Sequence, residues 1–255
     1  MSDFKLIASQ TRFEQLSFWL NPVGAFFTVG FSTIFLIILG SSSGHSNVSF
    51  LHIRLIQYYV AGFIAYGVMS SCYNILAITM VNRREFGLLK RLRLSPAPTW
   101  ILMAAIFIST MIISVLQIVI MLVVGRFGYS VHGPADLAPF LIALIVGMLS
   151  FTAMGMAMST LIPNADAAGP ATSVVFFILL ALSGLWFPIS NGSGLAKVTS
   201  YFPVRPLIEA VDASFNHIPG TGMWAWHDIL VVATWGVAGV IVALRRWQWA
   251  PRRMS

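Results

Sequence analysis

Six apolar runs dominate this chain, at residues 21–39, 53–80, 100–124, 137–161, 171–187 and 229–244, and no acidic or basic residue sits in the middle of any of them. A helix of about 20 apolar residues, rising 1.5 Å each, crosses roughly 30 Å of hydrocarbon. The runs at 53–80, 100–124 and 137–161 are long enough unaided. The run at 171–187 lies between Pro170 and Pro188, which leaves about 26 Å of helix. Only 9% of the 255 residues are charged and 58% are hydrophobic, whereas a soluble domain carries about 25% charged residues. There is too little polar surface here to coat a water-soluble body. Helices satisfy their own backbone groups where no water can. The expected fold is an all-α membrane protein with six transmembrane helices, the first of them an uncleaved span rather than a signal peptide.

Basic residues give the orientation. With both termini cytoplasmic, Lys5, Arg12, Arg83, Arg84, Lys90, Arg91, Arg93, Arg245, Arg246, Arg252 and Arg253 face the cytoplasm, 11 of the 15 Lys and Arg. Arg54, Arg126, Lys197 and Arg205 fall outside. That imbalance is the positive-inside pattern, and tryptophans cluster near the run ends as interfacial anchors do. The net charge of +7 is therefore read as topology and anionic lipid, not nucleic acid. Residues 1–20 are expected to form an interfacial helix, because Phe13, Leu16 and Leu20 recur at helical spacing among Arg12, Glu14 and Gln15. Asn21-Pro22 then turns the chain into the membrane.

The densest charge cluster, residues 82–96, separates two spans. On a helical wheel Leu88, Leu89 and Leu92 share one face, with Phe86 at its edge, while Arg84, Lys90 and Arg91 lie opposite. A loop that only orients a protein needs charge but no apolar stripe. A helix with such a stripe suits a protein groove, and Ser95-Pro96 would end it. The connection at 188–228 holds a second amphipathic segment. There Leu207, Ile208, Val211 and Phe215 mark one face opened by Pro206, with Glu209 and Asp212 on the polar side.

Arg84-Glu85-x-Gly87-x-Leu89-Lys90-x-Leu92-x-x-x-Pro96 resembles the first cytoplasmic loop of type-two ABC exporter permeases, the daunorubicin-resistance group. Ser183-Gly184-Leu185-Trp186-Phe187-Pro188, Tyr201-Phe202-Pro203 and Pro206-Leu207-Ile208-Glu209-Ala210 resemble that family's short fifth helix and the external helices after it. Leu88 departs from the family, which often has Thr after the glycine. The resemblance covers nearly the whole chain and implies one permease domain over residues 1–255. It makes residues 82–96 a coupling loop whose Arg83, Arg84, Glu85, Phe86, Gly87, Leu88, Leu89, Lys90, Arg91 and Leu92 meet a nucleotide-binding subunit. It makes residues 188–228 an external hairpin, with Trp186, Phe187, Pro188, Pro203, Leu207, Ile208 and Val211 at a gate. Two such permeases and two cytoplasmic ATPase subunits would complete an exporter.

Other signals agree with a chain powered from elsewhere. No Gly-Lys dipeptide occurs, so a phosphate-cradling Walker loop is absent. ATP and Mg would belong to the partner subunit, with no cofactor on this chain. Ion-coupled transporters carry buried ionisable groups in their spans, and these runs have none at mid-depth. The five histidines fall outside, with no i, i+4 pair, so no metal site is expected. The single cysteine, Cys72, excludes a disulfide within the chain. Ser70, Asn74, Gln117 and Thr152 are polar positions inside spans. They either line a substrate path or bond neighbouring helices. The expected cargo is amphiphilic: a drug, an antibiotic or a lipid. The rival readings are a permease for polysaccharide or lipid-linked glycan and, from other classes, a membrane-embedded enzyme or a non-transporting scaffold or immunity protein.

Overall fold

Helix entry is set locally by Asn21-Pro22. The Asn21 side chain accepts the Gly24 N–H at 3.2 Å, and Pro22 fills the first helical position, where no N–H is needed. The computed structural model describes residues 3–43, 47–48, 53–89, 98–186, 194–215 and 224–247. A first helix, α1 (Asp3–Trp19), precedes that turn. The next, α2, is built from Pro22–Ala25, a widened π-helical turn at Phe26–Gly30, and Phe31–Ser43. The third, α3, joins Leu55–Val68, a π-helical segment at Met69–Ile75, and Leu76–Glu85. Then come α4 (Thr99–Tyr129), α5 (Leu137–Leu161), α6 (Ala168–Ala181), α7 (Gly194–Thr199), α8 (Val204–Phe215) and α9 (Trp226–Arg246). Strand structure among the described residues is one short antiparallel pair, Asn47–Val48 with Ile53–Arg54. The fold is an all-α membrane protein.

Five helices, α2, α3, α4, α5 and α9, are long and apolar enough to cross a membrane. The run at 171–187 behaves differently from a full span. Its helix, α6, stops at Ala181 after 14 residues, about 21 Å. Ser183 is the cause: its hydroxyl donates to the Leu180 carbonyl at 2.6 Å and accepts the Leu185 N–H at 3.1 Å. Such a side chain offers the backbone an alternative to the helix ladder. Gly184 follows at φ 77°, a conformation glycine adopts without steric cost. Phe187 and Pro188 lie outside the described residues.

The core forms around α3. Val60, Phe63, Ile64, Val68, Met69 and Cys72 have no exposed surface, because α2, α4, α5, α6 and α8 all pack on this helix. Contact with α5 is at backbone distance. A Cβ added at Gly155 would meet the Cys72 and Tyr73 carbonyl oxygens at 2.8 and 2.9 Å. Gly239 lets α9 approach the other side of α5 in the same way, 2.8 Å from the backbone at Ala153 and Met154. In lipid, where hydrophobic burial gives little drive between helices, such close packing holds them together.

Helix α1 presents its polar side to the bundle. Thr11 and Glu14 are buried, and Gln15 Nε2 donates to the Ser109 carbonyl and hydroxyl, both at 2.9 Å. Phe13, Leu16 and Leu20 point outward and are exposed. That arrangement suits a helix lying in a membrane surface with its apolar stripe in lipid. Replacing Gly155 with Leu should separate α3 from α5 and lower stability by at least about 1–3 kcal/mol. Gly169→Ala, where a Cβ meets nothing within 4 Å, should leave it unchanged. Thermal unfolding of the two purified variants in detergent checks this.

Candidate functional site

At the end of α3 the charged cluster divides into two structural roles. Arg83, Arg84 and Glu85 form the last turn of the span. Phe86 and Gly87 then turn the chain, with Gly87 at φ 71°, and helical structure resumes at Leu88 and Leu89. Gly87 therefore interrupts the wheel drawn from Arg84 and Phe86 to Leu88 and Leu89, because a left-handed residue resets the helical phase. Leu89 is buried against Leu76, Met80 and Ile106, whereas Phe86 and Leu88 are exposed. Lys90, Arg91 and Leu92 lie outside the described residues.

Neither arginine of the α3 turn offers an open docking face. The Arg84 guanidinium is buried, 3% exposed, and donates to the Ser159 carbonyl at 2.9 Å and the Ile162 carbonyl at 2.6 Å. Its Nε bonds Glu85 at 2.7 Å. The carbonyls it binds are among those that α5 leaves unpaired at its C-terminus, where positive charge is also favoured by the helix dipole. They are free because Ile162 precedes Pro163 and is extended. Arg83 reaches in the other direction. Its two terminal nitrogens grip the two carboxylate oxygens of Glu14, one pair at 2.8 Å. With Glu14 only 6% exposed, this is a desolvated, bidentate pair. The turn at Phe86–Leu88 is thus fixed to α1 on one side and to α5 on the other. Glu14 was not singled out from sequence. The signal was there in principle: a chain with eight acidic residues must place one near each cation it buries.

The opposite end of α3 packs against α8, in the connection between α6 and α9. Helix α8 does not rest on the surface with one wet face. Pro203, Leu207, Ile208 and Val211 are buried, and so is Asp212, on the side read as polar. The helix is sunk between α3, α5 and α9. Arg205 makes this tolerable. Its guanidinium is buried, donates to the Ala196 carbonyl near the end of α7 at 2.9 Å, bonds the Thr199 hydroxyl, and pairs with Glu209 at 2.7 Å. Burial pushes the Glu209 carboxyl above its ordinary range, and the Arg205 charge opposes that rise. Trp186 packs edge-on against Phe35 and Phe63. Tyr58 donates to the Gly184 carbonyl at 2.8 Å, and Trp235 donates to the Tyr201 carbonyl at 2.8 Å. The gate residues described here are therefore core residues of one chain.

The four polar positions inside the spans are not gathered on an open path within this chain. Ser70, Gln117 and Thr152 are buried and Asn74 is half-buried. Gln117 bridges helices: its amide donates to the Ser32 hydroxyl on α2 and lies against Gly67 on α3. No group of three or more His, Cys, Asp or Glu able to hold a metal occurs among the described residues.

The chain belongs to the ABC-2 family of transporter proteins, whose description matches it over residues 47–245. The probable multidrug ABC transporter permease YbhR of Escherichia coli (strain K12) is 24% identical over 179 residues, 68% of this chain and 48% of that protein. The putative transport permease YvfS of Bacillus subtilis (strain 168) is 31% identical over 137 residues, 51% of this chain and 54% of that one. The chain spans about half the length of these curated relatives. It is a type-two ABC permease subunit.

Cutting either member of the Glu14–Arg83 pair should destabilise the protein by about 3–5 kcal/mol, because the other charge is left buried and unpaired. Replacing both, as Glu14→Leu with Arg83→Met, should recover most of the loss. A double-mutant cycle on thermal stability in detergent measures it.

Proposed function

We propose that this chain is the membrane half of an ATP-driven exporter, and that the turn at Phe86–Leu88 is where a separate cytoplasmic ATPase of the ABC class takes hold. The observation that carries this reading is the pairing of exposure with rigidity. Phe86 and Leu88 project from a turn whose flanks are clamped by Arg83 to α1 and by Arg84 to α5. An exposed apolar pair on a stiff support suits a groove in a partner. It would also pass a push into α3, the helix against which most of the bundle packs. ATP and Mg would sit in that partner, present in two copies.

A second permease, identical or paralogous, is part of the same proposal. Helix α6 is too short to cross the hydrocarbon, yet exposes Val174, Phe177 and Ile178. Non-helical backbone beyond a short span needs protein around it, not lipid. Both termini would face the cytoplasm of a plasma or inner membrane, as the basic residues indicate. The cargo would be an amphiphilic drug, antibiotic or lipid. The word multidrug in the name of one relative and the lack of fixed charge at mid-span both lean that way.

The test is co-expression with candidate ABC-class ATPases. Phe86→Asp with Leu88→Asp should abolish co-purification and ATP-driven movement of a fluorescent amphiphile in vesicles, while membrane insertion persists. Leu89→Asp should instead impair folding itself, since that side chain is buried. Full retention of the ATPase by the Phe86/Leu88 double variant would refute the docking site.

A further inference from the structure

Beside the Arg83–Glu14 clamp lies a cleft of about 250 Å³ between α1, α3 and α4. Ile75, Ile106 and Ile113 supply apolar lining. Polar lining comes from Ser17, Asn21, Thr79, Asn82, Ser109 and Thr110, with the Arg83 guanidinium. The side chains of Thr79 and Asn82 make no hydrogen bond among the described residues. Arginine carries five N–H donors. Glu14 engages the two terminal nitrogens of Arg83, and the side chain keeps 14% of its surface exposed. Donors therefore remain within the cleft.

We infer that this cleft binds one phospholipid of the cytoplasmic leaflet, with an acyl chain against the isoleucines and its phosphate at Arg83, Asn82 and Thr79. Three observations choose this occupant. The lining combines isoleucines that suit a hydrocarbon chain with polar side chains that suit a headgroup. Thr79, Asn82 and Arg83 lie toward the same end of α3 as the basic cluster, which is headgroup depth under the proposed orientation. The cleft also adjoins α1, whose outward stripe of Phe13, Leu16 and Leu20 places that helix among lipids, so an occupant reaches it sideways from the bilayer. The guanidinium and carboxylate of the clamp are neutral as a pair. A zwitterionic headgroup fits that pair better than a multiply charged anion. A lipid held here would touch α1, α3 and α4 at once and stiffen the support of the Phe86–Leu88 turn. Only the choice of leaflet rests on the exporter reading.

The experiment uses the full chain in nanodiscs containing a trace of phosphatidylcholine with a diazirine on its acyl chain. After irradiation, labelled peptides are mapped by mass spectrometry. Peptides covering residues 75–82 and 106–113 should be labelled well above the outward face of α9 at Val237 and Ile241, which reports ordinary surrounding lipid. Thr79→Trp and Ile113→Trp fill the cleft from opposite walls. Each should cut cleft labelling about tenfold, equivalent to about 1.4 kcal/mol of binding, without changing labelling on α9. Two variants separate loss of the site from misfolding, which would alter both regions. A diazirine fatty alcohol lacking phosphate should label the cleft weakly, and excess inorganic phosphate should not compete. Cleft labelling no greater than that of α9, or unaffected by both tryptophans, would overturn the site. Equal labelling by the fatty alcohol would overturn phosphate recognition, and competition by inorganic phosphate would overturn the lipid. Because the readout is labelling rather than transport, its failure is distinct from failure of the exporter reading.

Discussion

Helix ends are the expensive parts of a membrane bundle, and arginines from other elements resolve several of them here. The last four carbonyls of a helix have no partner within it, and in a region without water each one left unbonded is costly. Arg84 on α3 donates to Ser159 and Ile162 at the end of α5. Arg205 on α8 donates to Ala196 near the end of α7. Arg54, just before α3, donates at 2.9 Å to Ser130, the left-handed residue that closes α4. Each guanidinium supplies several donors and a positive charge where the helix dipole favours one. Each also ties the end of one helix to the start or finish of another, so the caps double as tertiary fasteners.

These fasteners give α3 a particular position. Its first half packs on α8 and holds Gly184 through Tyr58, while its last turn leads into the turn clamped to α1 and α5. One helix therefore joins α8 to the clamped turn. Midway it contains the π-helical segment Met69–Ile75, where Gly155 presses against the Cys72 and Tyr73 carbonyls. Widened turns of this kind often mark functional places in helices.

Much of the fold was legible because apolar periodicity and length are local properties. The run at 137–161 is one helix with those bounds, and the amphipathic character of α1 and α8 was plain from spacing. Less legible was what each polar side chain does. Arg83 and Arg84 read as a surface charge cluster, yet both make internal bonds, Arg83 to Glu14 and Arg84 to the end of α5. Glu209 and Asp212 read as a wet face, yet α8 is sunk in the bundle. Gln117 was left between path and packing, and it reaches Ser32 on a neighbouring helix. In each case the partner lies far away in sequence, and no local pattern names it.

The amino-acid sequence by itself determined that this is a helical membrane protein and where its long apolar helices lie. Those outcomes follow from transfer free energies summed over contiguous residues. Tertiary structure alone decided which of the described residues of the charged cluster are buried and which are exposed. That choice depends on where the carboxylate of Glu14 and the free carbonyls at the end of α5 come to lie, and on Gly87 breaking the helical phase so that Leu89 turns inward while Phe86 and Leu88 stay outside.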